Sequence, residues 1–136
     1  MTRKVGLTKE FVVEIPNRPG TLGNLAQLLG KEDIDILGFA AVARGTEPGT
    51  VHLVTDDADE AAVVLEEDGF APETREAIVV TVPNLPGQLG RLSSELGQAG
   101  INIEASFVAM DGEEESLRCV FAVENPNKAA EALERG

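Results

Sequence analysis

The segment Asn17-Arg-Pro-Gly-Thr-Leu-Gly23 returns later in the chain as Asn84-Leu-Pro-Gly-Gln-Leu-Gly90. Each copy follows a short apolar run and precedes a segment with leucines at helical spacing. The flanking landmarks keep the same register, since Val13, Ile15, Pro16, Leu25, Leu29, Ile34 and Ile36 recur as Val80, Val82, Pro83, Leu92, Leu96, Ile101 and Ile103. Because the period is close to the size of a small domain, the sequence predicts a duplicated domain, with copies in residues 1–74 and 75–136.

The composition is that of a globular, strongly acidic protein. The 136 residues carry a formal net charge of -13, with 43% hydrophobic and 4% aromatic residues. This charge repels phosphate backbones and anionic membranes, and no cluster of Lys and Arg relieves it. No stretch approaches the roughly 18 apolar residues that span a bilayer, and the N-terminus lacks the apolar region of a signal peptide. We expect no nucleic-acid partner, no membrane association and a cytoplasmic location.

The chain has one cysteine, Cys119, and one histidine, His52. They exclude an internal disulfide framework and a Cys/His zinc cluster. We interpret His52 as an ordinary strand histidine and Cys119 as a small buried hydrophobe, because neither has a catalytic partner nearby in the sequence. With no nucleophile and base pair and no phosphate loop with its Lys, we expect no catalytic residue, no metal site and no cofactor.

Each copy has the pattern of strand, helix, strand, strand, helix. Strands are predicted at residues 11–15, 34–43 and 51–55, and again at 78–82, 101–110 and 117–123. The leucine stripes predict one amphipathic helix after each repeated loop, and second helices are predicted at residues 59–68 and 127–135. This order predicts an α+β fold of two ferredoxin-like βαββαβ units with antiparallel sheets.

The fourth strand differs between the copies. Residues 70–72 can form it in the first copy, whereas the second copy ends at Gly136 without one. Either the natural protein is longer, which we favour, or the N-terminal extension around Val5 and Leu7 supplies that strand. Asp33 and Gly100 occupy equivalent positions after the first helix of each copy, and both residue types tolerate the left-handed conformation that helix ends require.

The repeated loop has the composition of a small anion site. A strand that ends in Pro-Asn, followed by Pro and Gly at the start of a helix, leaves the first N–H groups of that helix pointing outward. Gly20 and Gly23, like Gly87 and Gly90, permit close approach of a ligand or of another backbone. The alternative is that the loop is only a turn and helix cap, with glycines that serve helix packing.

The two copies resemble the ACT domain family. The matching pattern is a hydrophobic strand, Asn-x-Pro-Gly-x-Leu, a leucine helix, and Ile34-Asp-Ile36 or Ile101-Asn-Ile103. The match begins near Phe11 and covers the rest of the chain. In aspartokinase, phosphoglycerate dehydrogenase and acetolactate synthase, similar modules bind amino acids between paired domains. The resemblance therefore implies two ACT domains, the second lacking its last strand, with no catalytic domain attached.

The same resemblance implies which residues bind the ligand. The two loops would hold its carboxylate and polar groups, and one residue of each second strand would contact it from a paired domain. These residues are Asn17, Arg18, Pro19, Gly20, Thr21, Leu22 and Asp35 in the first copy, and Asn84, Leu85, Pro86, Gly87, Gln88, Leu89 and Asn102 in the second. Asp35 is anionic where the second copy has Asn102, which would favour an ammonium group and disfavour a second carboxylate. We therefore expect either that the two sites differ in ligand or that one of them is vestigial.

The functional hypothesis is a non-enzymatic sensor that binds a small amino acid or related carboxylate and regulates a partner protein. Both faces of the second strand are apolar around Leu37 and Phe39, and helices can cover only one of them. The other face is therefore expected to meet the sister copy or a second chain, which supports an interdomain sheet contact and a homodimer. The alternative hypothesis is a regulatory subunit that docks on an amino-acid biosynthetic enzyme, as acetolactate synthase small subunits do.

Overall fold

The computed structural model describes residues 3–110 and 114–134. Residue contacts divide this part of the chain into two compact units. We call Lys9–Arg75 the first half, and residues 3–8 together with the described chain from Glu76 onward the second half. The elements are β1 (Lys4–Ile15), α1 (Thr21–Lys31), β2 (Ile36–Val42), β3 (Gly49–Thr55), α2 (Ala58–Glu67), β4 (Glu73–Pro83), α3 (Gln88–Gln98), β5 (Ile103–Ala109), β6 (Ser116–Val123) and α4 (Pro126–Glu134).

The first half has an antiparallel sheet in which β3 is central. β1 pairs with β3 from Phe11 opposite Leu53 to Ile15 opposite Gly49, and β2 pairs with the other edge of β3. Alternate strand residues pack against α1 and α2, because successive side chains of a strand point to opposite faces. The resulting core is aliphatic apart from one aromatic ring: Phe11, Val13, Ile15, Leu25, Leu29, Ile34, Val51, Leu53, Ala61, Val64 and Leu65.

The second half repeats this arrangement. β6 is central and pairs antiparallel with both β4 and β5. The register shifts between Ile36 and Gly38 of β2 recur between Ile103 and Ala105 of β5, so even this irregularity is duplicated. The predicted antiparallel sheets and leucine helices are confirmed, although Leu89, at the start of one stripe, is 52% exposed. The predicted end of the last helix at residue 135 lies outside the described residues.

The fourth strands are organised differently from the prediction. Residues 70–72 form no strand, because Phe70 donates its N–H to Leu65 O and closes the end of α2. The strand β4 begins at Glu73 instead, and its residues up to Arg75 belong to the first half. The continuous strand β4 therefore replaces the two separate strands that were predicted at residues 70–72 and 78–82.

The N-terminal strand serves the second half. Val5 packs against the second core, and a Cβ on Gly6 would lie 3.6 Å from Val79 Cγ1. The structure thus supports the N-terminal extension as the additional strand of the second half, which was the less favoured of the two alternatives. The repeat boundary at residues 74 and 75 remains a prediction.

Both first helices end in a left-handed residue, as predicted. Asp33 has φ +59° and Gly100 has φ +76°. The next residue folds back in each case, since Ile34 N donates to Leu29 O and Ile101 N donates to Leu96 O. These bonds satisfy carbonyl groups that the helix end would leave unpaired.

Arg3 holds the N-terminal strand in the second half. Its guanidinium donates to both carboxylate oxygens of Glu95 at 2.7 and 2.9 Å, and to Leu133 O at 2.8 Å. In the first half, the equivalent Leu65 O accepts the backbone N–H of Phe70. In the second half, the Arg3 side chain therefore donates to the carbonyl whose equivalent in the first half accepts the backbone N–H of Phe70. Hydrogen bonds from Arg3 lower the pKa of Glu95, and Glu95 in turn raises the pKa of Arg3.

Arg3→Ala is expected to destabilise the protein by about 1–3 kcal/mol at pH 7, because it removes hydrogen bonds between charged, partly buried groups. The folded state lowers the pKa of Glu95, so this stabilisation is complete above the ordinary carboxyl pKa and is lost as pH falls through the folded value. The difference in free energy of unfolding between wild type and variant should therefore shrink below about pH 4.

Urea titrations between pH 3 and pH 7 measure this difference. Arg91→Ala is the matched control, because Arg91 contacts the same carboxylate at 3.4 Å but is 64% exposed and should contribute little. If the difference in free energy of unfolding between wild type and Arg3→Ala stays constant down to pH 3, the hydrogen bonds to ionised Glu95 are not its source.

A buried ionic cluster links three strands of the first half. The Glu10 side chain is fully buried; its Oε1 lies 2.6 Å from His52 Nδ1 and its Oε2 accepts from Arg75 Nε at 2.8 Å. The repeat places Ala77, Val120 and Thr8 at the equivalent positions of the second half. The ionic cluster is therefore found in the first half only, and the second half forms the same fold without it.

Glu10→Ala is expected to cost about 3–5 kcal/mol, because it leaves charged Arg75 partly buried without this carboxylate. The triple variant Glu10→Ala, His52→Val, Arg75→Thr copies the second half and should regain most of that loss, since an apolar replacement needs no charge compensation. Chemical denaturation of the single and triple variants tests this. A triple variant less stable than Glu10→Ala would show that the ionic cluster itself is required.

Candidate functional site

The repeated loop turns the chain from strand to helix through a left-handed glycine. Gly20 and Gly87 are the N-cap residues of α1 and α3, with φ +90° and +91°. A side chain at this φ is strained, so the position favours glycine. Neither helix has a side-chain cap at its N-terminus. The first N–H groups of each helix thus face the loop at the positive end of the helix dipole.

The loop asparagines attach each loop to the neighbouring hairpin turn. Asn17 Nδ2 donates to Gly45 O at 2.7 Å. Asn84 donates through its backbone N–H to Glu115 O at 2.7 Å and through Nδ2 to Glu114 O at 3.5 Å. Both asparagines therefore have a structural role, and ligand contact by their remaining polar groups stays a prediction.

A cavity of about 220 Å³ opens beside the first loop. It is bounded by the end of β1, the first turn of α1, the end of β2 and the start of β3. The lining residues are Ile15, Pro16, Asn17, Arg18, Gly20, Thr21, Leu22, Gly23, Ala41, Val42, Ala43, Gly49 and Thr50. This brings together Asn17, Arg18, Gly20, Thr21 and Leu22 of the predicted site, while Pro19 does not line the cavity.

The polar groups of this cavity suit an anion. Arg18 contributes the one charged side chain among the lining residues. Arg18 is exposed and makes no ion pair within residues 3–110 and 114–134. Thr21 directs its hydroxyl to Pro16 O at 2.7 Å, which holds the loop against the helix. A cation, an uncapped helix N-terminus and the absence of acids along the lining together favour a carboxylate.

Sequence reasoning missed the contribution of the β2–β3 hairpin to this cavity. Residues 41–43 and 49–50 contribute much of the wall. The order of the strands could have predicted it, because antiparallel pairing brings the end of β2 and the start of β3 to the same end of the sheet as the end of β1. The predicted site included only the loop motif and the residue before β2.

Asp35 lies at the opposite end of β2 from this cavity. Its N–H donates to Asp56 Oδ1 at 3.0 Å, and its carbonyl accepts from Asp56 N at 3.1 Å. A seven-residue strand, roughly 20 Å long, separates it from the loop of its own half. The structure therefore does not join Asp35 to the loop site within the first half. Contact from a paired domain, as the resemblance implies, stays a prediction.

Asn102 lies in a separate cavity of about 470 Å³ in the second half. The other lining residues are Gly100, Ile101, Glu124, Asn125 and Lys128. Asn125 caps α4 by accepting from Lys128 N at 3.1 Å. At the equivalent positions the first half has the acids Asp35, Asp56, Asp57 and Glu60. The expected difference between the two copies thus extends beyond one residue pair.

The second loop differs from the first in its side chains. Leu85 stands where the first loop has Arg18, and it is 58% exposed. Gln88 replaces Thr21, and Leu89 is also largely exposed. The backbone of Pro86 and Gly87 repeats that of the first loop, with the same left-handed N-cap. The two loops therefore share a backbone conformation and present different chemistry.

The glycines of the first turn do not serve packing within the chain. A Cβ built on Gly23 or Gly90 meets nothing within 4 Å. Gly23 is exposed and lines the cavity. The alternative interpretation, in which these glycines permit close helix packing, is therefore not supported for the described chain. Space beside Gly23 remains for a ligand.

A family model described as an ACT domain pair matches residues 7–135. The match spans both repeats and both loops. The chain belongs to the ACT domain pair family. This ACT pair thus has the ferredoxin-like folds and the tandem organisation that the repeated motif predicts. A search of the curated proteins finds no match.

Solved structures show the same fold. The protein BT0572 from Bacteroides thetaiotaomicron has a TM-score of 0.83 at 23% identity, with 96% of this chain and 89% of that chain covered. The ligand-free regulatory subunit of aspartate kinase from Thermus thermophilus has a TM-score of 0.71 at 18% identity, with 99% and 96% covered. A putative C-terminal regulatory domain of aspartate kinase from Porphyromonas gingivalis scores 0.60 at 12% identity, with 98% and 96% covered.

The described residues contain no helix long and apolar enough to cross a membrane. Across residues 3–110 and 114–134, no three His, Cys, Asp or Glu side chains are grouped to hold a metal ion. Cys119 is buried, and burial raises the pKa of its thiol, which agrees with its interpretation as a core residue.

Proposed function

We propose that this ACT pair is a non-enzymatic sensor that binds a small amino acid or related carboxylate beside the first loop. The observation that carries the proposal is the cavity where Arg18 and the uncapped start of α1 meet without a lining acid. The fold of aspartate kinase regulatory subunits supports a regulatory role. We further propose that occupancy of this site is passed to a partner protein in the cytoplasm. Recognition there needs no catalytic group.

Ligand binding should raise thermal stability. A ligand that binds only the folded state stabilises it by RT ln(1 + [L]/Kd), roughly 2.7 kcal/mol at a hundredfold excess over Kd. A thermal-shift screen of the twenty amino acids and common carboxylate metabolites therefore tests the proposal. No shift with any compound at millimolar concentration would count against it.

Gly23→Ala should separate helix stability from ligand binding. Alanine favours the helix by about 0.5–1 kcal/mol over glycine, so the free protein is expected to gain stability. The new methyl group projects beside the cavity, so binding of the compound found in the screen should weaken. Calorimetric titration measures the affinity, and thermal unfolding measures the stability.

Gly30→Ala is the matched control. Gly30 lies in the same helix, is exposed, meets nothing within 4 Å at its Cβ position and does not line the cavity. It should show the same gain in stability with unchanged affinity. Equal affinity for both variants would place the ligand away from the first turn of α1.

We propose that the protein is a homodimer, with Asp35 or Asn102 of a paired domain contributing to ligand contact. Each half exposes apolar side chains on its second strand or just after it. Phe39 and Val42 are 56% and 64% exposed in the first half, and Val108 and Met110 are 60% and 66% exposed in the second. Such side chains are typical of interaction surfaces. Analytical ultracentrifugation measures the oligomeric state, and a monomer at micromolar concentration would contradict this part of the proposal.

A second candidate function is a regulatory subunit that docks on an amino-acid biosynthetic enzyme, in the manner of acetolactate synthase small subunits. Exposed Leu85 and Leu89 of the second loop favour it, because apolar side chains of this size are typical of protein interfaces. Affinity purification from the native cell, with Leu85→Ser and Leu89→Ser as variants, tests the docking. An enzyme retained equally by wild type and both variants would exclude this loop as its docking surface.

A further inference from the structure

The two loops place opposite kinds of side chain on the same backbone. Arg18 and Leu85 occupy the same position between the asparagine and the proline of each loop. Both loops lead through a left-handed glycine into an uncapped helix. Any difference in what they bind must therefore come from side chains and from the charges nearby.

The charges near the loops differ as well. The hairpin turn that Asn17 holds, residues 44–48, contains one arginine and one glutamate. The described part of the equivalent turn, which Asn84 holds, begins with Glu114 and Glu115. Asn84 bonds to the carbonyl groups of Glu114 and Glu115, which brings these residues beside the second loop. The charges of the first turn thus balance, whereas the second loop lies beside two acidic residues, Glu114 and Glu115.

This difference decides where an anion can bind. The whole chain carries a net charge of -13, so its field repels anionic ligands. A site for an anion must overcome that field with a local cation. Arg18 supplies one at the cavity, and no acid among the lining residues competes for it. A guanidinium can donate two parallel hydrogen bonds to one carboxylate, which adds both affinity and geometric selection.

We propose that Arg18 is a specificity-determining residue, which makes the first-half cavity selective for ligands with an additional acidic group over their uncharged analogues. The inference rests on the proposed function, assigns the ligand class of that site, and requires that the residue contacting the ligand from a paired domain is Asn102 and not Asp35, because a second acid there would repel the ligand. The second loop, with Leu85 and adjacent glutamates, does not bind such an anion. One chain therefore carries one anion-selective site, although it carries the loop twice.

Two pairs of nearly isosteric probes test the proposal: L-aspartate with L-asparagine, and L-glutamate with L-glutamine. We expect calorimetric titration to give at least roughly tenfold tighter binding of one acid than of its amide, as a charge-assisted hydrogen bond implies. One site should be occupied per chain. The preference should fall as salt is raised from about 0.05 to 0.5 M, because salt screens charges at an exposed site.

Arg18→Leu installs the side chain of the second loop and should abolish the preference for the acid. Arg44→Leu is the control, because it removes the same charge from the adjacent turn and Arg44 does not line the cavity. Both positions are exposed, and unchanged melting temperatures of the free variants verify the fold. Retention of the preference by Arg44→Leu and its loss in Arg18→Leu is the expected result.

The outcomes distinguish this inference from the function on which it rests. Binding of amides and acids with equal affinity, or a preference that survives Arg18→Leu, overturns the inference and leaves the sensor function standing. Failure of all four probes, together with no response in the wider amino-acid screen, overturns both. Binding of two acid molecules per chain overturns the assignment to one loop.

Discussion

The positive φ of Gly20 and Gly87 is the constraint on which the site depends. It lets the chain leave a buried strand and enter a helix within a few residues, so that the helix packs its leucines on the sheet. The same turn leaves the first helical N–H groups without a side-chain cap. Folding and the proposed recognition therefore depend on one feature, because the backbone turn that packs the helix on the sheet also leaves polar N–H groups open beside the loop.

Duplication preserved this frame while the chemistry of the halves diverged. Equivalent cores, strand pairings and even strand irregularities recur, because they are set by aliphatic packing and backbone hydrogen bonds. The differences lie where packing tolerates them. Arg18 corresponds to Leu85 in the loops and Glu10 to Ala77 in the strands, while the Arg3 and Glu95 pair corresponds to Phe70 and Leu28. The first half has Arg18 in its loop, and the second half has an ionic attachment of its N-terminal strand.

The sequence was sufficient for features with a local pattern. Leucine spacing, strand alternation and the left-handed positions at Asp33 and Gly100 are set by neighbours along the chain, and they were predicted. Contacts across long sequence separations were predicted less well. The contacts of Glu10 with His52 and Arg75, 42 and 65 residues away, were not predicted. The place of residues 3–8 in the second half was only the less favoured of two alternatives. Comparison of the two repeats points to the ionic cluster, because the charged Glu10 stands where the second repeat has an alanine.

Amide NMR of labelled protein, titrated with the amino acid or carboxylate that binds it, tests the first-loop site most directly. We expect the chemical-shift changes to concentrate at residues 18–23 and at the walls formed by residues 41–43 and 49–50. Leu22 and Gly23 should report most strongly, because their N–H groups face the ligand. Shifts concentrated at residues 85–90, with the first loop unchanged, would contradict this expectation.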